Sequence, residues 1–253
     1  MTPDLDSLAI APYVKTDDLL KASPHLAPRR PAVGITPKLT DAELVTLTVT
    51  EALLGFTSEA KRPRHARAHL RNLCPYLPQQ PGCNKRLRKA TELLRRITRL
   101  LATDTSVWSD DVWIVDSTPV ECGRSRETVK RSELAGWAKY CYCASHSRFG
   151  RDFEHQLAER GIRLLQPTRE GEPKRPGAEL FTPLRQVIAS VNETFKGQPG
   201  LERHHGRTPA GVVARVMQRI LTLTTAIWHN DQSGQPVLRS LTAYDHQPLG
   251  VII

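Results

Sequence analysis

Leu87, Ala90, Leu93, Leu94, Ile97, Leu100 and Leu101 recur at steps of three, three, one, three, three and one. That rhythm keeps them on one side of an α-helix. Lys85, Arg86, Arg88, Lys89, Arg95, Arg96 and Arg99 decorate mostly the other sides. The spacing predicts a single amphipathic helix with Asn84 as N-cap, ending near Thr103. A second helix is predicted after Thr40, which forms a capping box with Glu43. Its apolar residues Leu44, Leu47, Leu53 and Leu54 fit one face only loosely. A helical stretch from Ser58 is interrupted by Pro63, and "CPYLPQQPGC" reads as a turn region. Further along, "LRQVIASVNETFK" (184–196) reads as one helix. Another follows Thr208 as N-cap and Pro209 at the first helical position, with Val212, Val213, Val216, Ile220, Leu223 and Ile227 as its apolar side.

Between these helical blocks the pattern changes. Val112 to Val115 is a short β-branched run that ends at Asp116, which reads as a buried strand delivering a carboxylate at its end. "RDFEHQLAERG" (151–161) reads as a helix and "IRLLQPT" (162–168) as a second short strand. The intervening text is polar and poorly periodic. The first forty residues are Pro-rich and weakly periodic. The pattern is that of an α+β chain, mostly helical, with a flexible N-terminal arm at 1–39 and a helical domain at 40–108. A mixed domain follows at 109–232, then a polar tail at 233–253.

Composition adds one fact that matters. With 253 residues, 39% apolar and 25% charged, the chain is ordinary for a globular protein, but its formal charge is +10. Twelve lysines and arginines against two glutamates lie between Glu59 and Arg99, a surplus equal to that of the whole chain. A localised basic block points to a phosphate-facing surface, and on a small helical domain to DNA bound in a helix-turn-helix manner. Five scattered cysteines, Cys74, Cys83, Cys122, Cys141 and Cys143, do not read as a disulfide framework and fit a reducing compartment. Cys141, Cys143 and His146 lack zinc-finger spacing. "MTPDLDSLAIAPYV" has no long apolar core and does not read as a signal peptide. No run approaches transmembrane length, so membrane partners are not expected.

The words "WIVDSTPVECGRSRETVKRSELAGWAKYCYCASHSRF", "RQVIASVNETFKGQ", "LERHHGRTPAGV" and "AIWHN" resemble bacterial insertion-sequence transposases of the DDE superfamily. So do "DAELVTLTVTEALLGF" and "PYLPQQPGCNKRLRKA", and the likeness covers nearly the whole chain in two blocks. The resemblance implies an RNase-H-like catalytic domain behind the helical one. It also implies DNA transposition by metal-dependent cleavage and strand transfer at terminal inverted repeats. A homo-oligomer and a cytoplasmic, nucleoid-associated location go with it. Three carboxylates, Asp, Asp and Glu, would hold two Mg²⁺ or Mn²⁺ ions, one activating the nucleophile and one stabilising the leaving oxygen.

Carried over residue by residue, that pattern is incomplete. Asp116 matches the first carboxylate and is the remnant metal ligand. The second has no match: the resemblance breaks off near 149–150, which implies an internal deletion, and Asp152 at a helix start is explained by capping. On the helix 184–196, Arg185 and Lys196 keep the family frame, but the position of the Glu is Ala189. Glu193 lies one turn further on, about 5.4 Å along the axis, too far to substitute in a metal site. Two strand candidates are also far short of the five-stranded sheet of an RNase-H-like core. The expectation is therefore a catalytically defective transposase copy whose metal is not bound productively. Its alternatives are a DNA-binding remnant that represses intact copies, or an unstable, non-functional fragment. Lys85, Arg86, Arg88, Lys89, Arg95, Arg96, Arg99, Arg185 and Lys196 are the expected DNA contacts.

Overall fold

The computed structural model describes residues 5–30, 34, 36–54, 74–109, 120, 126–137, 159, 161, 171, 177–201, 204–238 and 241. Its described part is mostly helical, and no strand occurs among the described residues. The segments read as strands, 112–115 and 162–168, lie outside them, as does most of the helix read at 151–161. Seven helices are numbered here in chain order. They are α1 (Leu5–Ala22), α2 (Asp41–Leu53), α3 (Gln80–Lys89), α4 (Thr91–Thr103), the short α5 (Arg126–Lys130), α6 (Phe181–Gly197) and α7 (Pro209–Gln232). Single 3₁₀ turns lie at Pro24–Leu26, Ser106–Ser109 and Ala178–Leu180.

The chain forms two compact units. One comprises Met1–Trp113, Val120–Ala138 and Glu193–Ile253, and the other Ile114–Pro119 and Lys139–Asn192. The boundaries read from the sequence are revised accordingly. The helical unit does not close at residue 108, because α7 belongs to it and packs against α4, α2 and α1. Nor is all of the N-terminal segment 1–39 a flexible arm. Leu5–Ala22 is helical and packs on α2 and α7; Leu8, Ala9 and Thr16 are buried, Leu8 against Leu223 and Ala226 of α7. Two features hid this helix. Pro12 lies inside it and removes one intrahelical bond, and a buried face built partly from Thr16 carries little apolar signal. The Thr16 hydroxyl donates to the Pro12 carbonyl (2.6 Å), so its polarity is satisfied locally.

The capping box at the start of α2 is present: Thr40 Oγ1 accepts from Glu43 N (3.1 Å), and Glu43 Oε2 accepts from Thr40 N (2.6 Å). The apolar face of α2 is loose because the helix is enclosed on more than one side. Val45 and Val49 join one core cluster with α4 and α7, while Leu44 and Leu47 join another with Leu39, Cys74 and Ala90. Thr46, Thr48 and Thr50 are buried too, each hydroxyl donating to the carbonyl four residues back.

The main core lies where α2, α4 and α7 meet. Leu93, Leu94, Ile97 and Leu101 of α4 pack with Ala214, Leu221 and Trp228 of α7, which are spaced seven apart. Each fully buried Leu or Ile contributes about 1.5–3 kcal/mol relative to exposure. Thr208 caps α7 as expected, its Oγ1 accepting from Gly211 N (3.1 Å), with Pro209 in the first turn. Its inward face is rotated from the expected one, however. Val212 and Leu223 are buried, but Val213 is 42% exposed and Val216, Ile220 and Ile227 are only half-buried. Arg215, Gln218, Arg219, Thr222 and Thr225 are buried instead. Gln218 Nε2 donates to the Thr48 carbonyl of α2 (2.9 Å). Arg215 donates to Asn84 Oδ1 of α3 (2.7 Å), and Arg219 Nε to the Gly200 carbonyl (3.2 Å). Asn84 is thus a tertiary partner inside α3, not the N-cap expected of it.

Candidate nucleic-acid interface

The basic stripe read as one helix is two. At Ala90 (φ −86°, ψ 1°) the helix breaks between α3 and α4. Ala90 N is shared between the carbonyls of Arg86 (2.9 Å) and Leu87 (3.1 Å), and the Thr91 hydroxyl donates to the Arg88 carbonyl (2.9 Å). A side chain that competes for backbone acceptors loosens the helix there. Leu87, Ala90, Leu93, Leu94, Ile97 and Leu101 nevertheless stay buried across the break, with Leu100 half-buried. The junction is one residue long. It is not the three- to four-residue turn of a helix-turn-helix, so α3 and α4 do not form that motif.

Six of the seven cations expected here face outward: Lys85, Arg88 and Lys89 on α3, and Arg95, Arg96 and Arg99 on α4. Lys85, Arg88 and Lys89 stand at relative positions i, i+3 and i+4, and so lie on one side of α3. Lys85, Arg88, Lys89 and Arg99 have no ion pair among the described residues. Arg95 and Arg96 both pair with Glu92, at 3.0 and 3.1 Å. Hydrogen bonding from Arg95 holds the Glu92 carboxyl below its ordinary range. Exposed pairs of this kind contribute little and are screened by salt, so both guanidiniums can turn to another anion at small cost.

Arg86 is the exception. Its Nη2 lies 2.6 Å from Asp41 Oδ1 and its Nη1 donates to the Leu39 carbonyl. Arg30 reaches Asp41 Oδ2 at 2.7 Å. Asp41 is buried between two arginines at the start of α2, which also carries its negative charge at a favourable helix end. Arg86 thus faces the fold and not the outer surface. Nothing in the local sequence separates Arg86 from Arg88, because the difference lies in a carboxylate 45 residues away.

On α6, Arg185, Ala189, Glu193 and Lys196 are all exposed. The first two fall in the second unit and the last two in the first. Ala189 presents a methyl group and no oxygen donor. Mg²⁺ and Mn²⁺ need several oxygen ligands, so this position does not fit either ion. Glu193 stands four residues on, about 6 Å along the helix at 1.5 Å per residue. Asp116, Asp152, Cys141, Cys143 and His146 lie outside the described residues. Among the described residues no group of three His, Cys, Asp or Glu could hold a metal ion.

Two features escaped the sequence reading: the Arg30–Asp41–Arg86 arrangement, and Lys38, whose ammonium sits 5.7 Å from the centre of the Tyr76 ring. No helix among the described residues is long and apolar enough to cross a membrane. No family model, curated protein or solved structure matches the chain.

Proposed function

We propose that this protein is a DNA-binding remnant of the DDE transposase lineage, without strand-transfer activity. The observation that carries the DNA-binding half is the set of six outward cations on α3 and α4, four of them without an ion pair among the described residues. Duplex DNA carries a dense row of phosphates, and a rigid, helix-borne row of cations gains affinity by releasing their counterions. The lineage rests on the resemblance of "DSTPVECGRS", "RQVIASVNETFKGQ" and the neighbouring words. On that reading part of the chain after residue 108 descends from an RNase-H-like catalytic domain, the DNA ends are terminal inverted repeats, and the protein works beside the nucleoid as a homo-oligomer.

The inactive half rests on Ala189. Within the frame of Arg185 and Lys196 it replaces the only oxygen donor that α6 would supply, and Glu193 is displaced by a turn. With no oxygen ligand at Ala189, the residues present do not fit a two-metal centre. Such a chain would act by occupying DNA, as a repressor of intact copies does.

Two measurements on the full chain test this. Binding to a duplex carrying the element ends should weaken with salt, with a log–log slope of about −0.9 per phosphate contacted. Reversing Arg88 and Lys89 to Glu should weaken it further. Undetectable binding at low salt, or binding indifferent to that reversal, would sink the DNA-binding half. Incubation of the same duplex with Mg²⁺ or Mn²⁺ should leave it intact. Cleavage that disappears in Asp116→Ala would sink the inactive half.

A further inference from the structure

The segment just before α3 carries an exposed aromatic beside the basic helix. Tyr76 is 45% exposed and lies between Pro75 and Pro78, which fix φ at their own positions and restrict Cys74 and Leu77 before them. Its flanks are anchored: Cys74 is buried and Leu77 partly so, in a cluster with Leu39, Leu44, Leu47 and Ala90. Pro78 is held against α3, where the Cys83 thiol lies 3.6 Å from its carbonyl oxygen. Lys38 approaches the ring from a different part of the chain. The next residue, Leu39, is tied to the same helix by Arg86. Tyr76 and Lys38 are therefore both fixed at the flank of α3, the helix that displays Lys85, Arg88 and Lys89.

The ring itself stays outside the apolar cluster that its neighbours Cys74 and Leu77 join, and nearly half of it is open to solvent. A rigid aromatic platform with cations around it is what an unpaired nucleobase and its phosphates require. Duplex DNA offers a protein surface no free base face, whereas a single strand does. Resting on the DNA-binding reading above, we infer that the Lys38–Tyr76 corner binds single-stranded DNA, a base stacking on Tyr76 while flanking phosphates meet Lys38 and the cations of α3.

The test uses the full chain, a fluorescein-labelled 20-nucleotide single strand of mixed sequence, and the duplex of the same sequence. Tyr76→Leu keeps apolar bulk on the segment but removes the stacking face. It should weaken single-strand binding by roughly tenfold, as expected from about 1–3 kcal/mol per stacked base. Duplex binding should stay within about twofold. Tyr76→Phe should bind both like the parent. Lys38→Gln leaves the ring in place and should lower the single-strand salt slope by about 0.7 unit. Parent protein that binds duplex but not single strand overturns this inference alone. So does Tyr76→Leu that melts like the parent and binds both probes equally well. Parent protein that binds neither probe overturns the DNA-binding reading and this one with it.

Discussion

Arg86 and Arg88 are two residues apart in a run of like charges, yet one faces the fold and the other faces outward. Arg86 neutralises buried Asp41, and removing it leaves that carboxylate with Arg30 alone. We expect Arg86→Ala to lower stability by about 1.5–3 kcal/mol, the range for hydrogen bonds to charged groups, in a denaturant melt. Arg88→Ala should leave the melt unchanged and weaken DNA binding. Cys74 shows a similar decision by surroundings: burial pushes its thiol up to about 12. Cys83 is only half-buried. Iodoacetamide followed by peptide mapping should label Cys83 in the folded protein, and Cys74 only after unfolding. Asp104 joins three parts of the fold. It accepts from Lys15 of α1 (2.7 Å) and from the Trp228 indole of α7 (3.0 Å), and the Lys15 hydrogen bond is the main reason its carboxyl titrates below the ordinary range. A depressed folded-state pKa means that the contribution is complete above the unfolded value and is lost as pH falls through the folded one. Asp104→Asn should therefore reduce stability at neutral pH and flatten its decline in acid. An unchanged acid limb in pH-dependent melts would refute this.

At the scale of the element, ends are better specified than faces. The α2 capping box and the Thr208–Pro209 start of α7 are local hydrogen-bond chemistry, and both lie where the residues put them. Entry into α7 also needs Gly206. A Cβ at that position would lie 2.7 Å from Val212 N and 2.8 Å from its Cα, backbone atoms that cannot swing aside. Gly206→Ala should cost about 1–3 kcal/mol by overpacking, read as a lowered melting temperature without loss of helical signal before the transition. The face of α7 could not be placed from its own residues. Its valines and isoleucines suggested one side, but the buried polar residues Arg215, Gln218 and Arg219 take the interior because Asn84, Thr48 and Gly200 supply their acceptors. A buried polar side chain with a partner costs little, and that partner is invisible to periodicity.

For the whole molecule, the decisive fact is that α7 completes the helical unit. Without it, Leu93, Leu94, Ile97 and Leu101 lose Ala214, Leu221 and Trp228 as partners. A fragment of residues 36–108, which contains the helical domain drawn at 40–108, should melt without cooperativity in circular dichroism. The full chain should show a cooperative transition for the same helices. A sharp, two-state melt of the fragment would refute the dependence on α7. The same arrangement explains how the outward cations of α3 and α4 come to stand on a folded surface. The cations stand on helices held by α7 and α2, not by a catalytic sheet.

What the residues determined by themselves is what local chemistry determines. Helix starts follow from Thr40 with Glu43 and from Thr208 with Pro209. The α4 stripe follows from spacing, and the basic block from composition. Tertiary structure alone decided that Leu5–Ala22 is a packed helix, that Ala90 divides the basic stripe, and that Arg86 faces inward while Arg88 does not. It also decided that α7 closes a core begun more than a hundred residues earlier. Each of these depends on a partner distant in sequence, and a hydrogen bond or an apolar contact leaves no periodic trace in either of the two segments it joins.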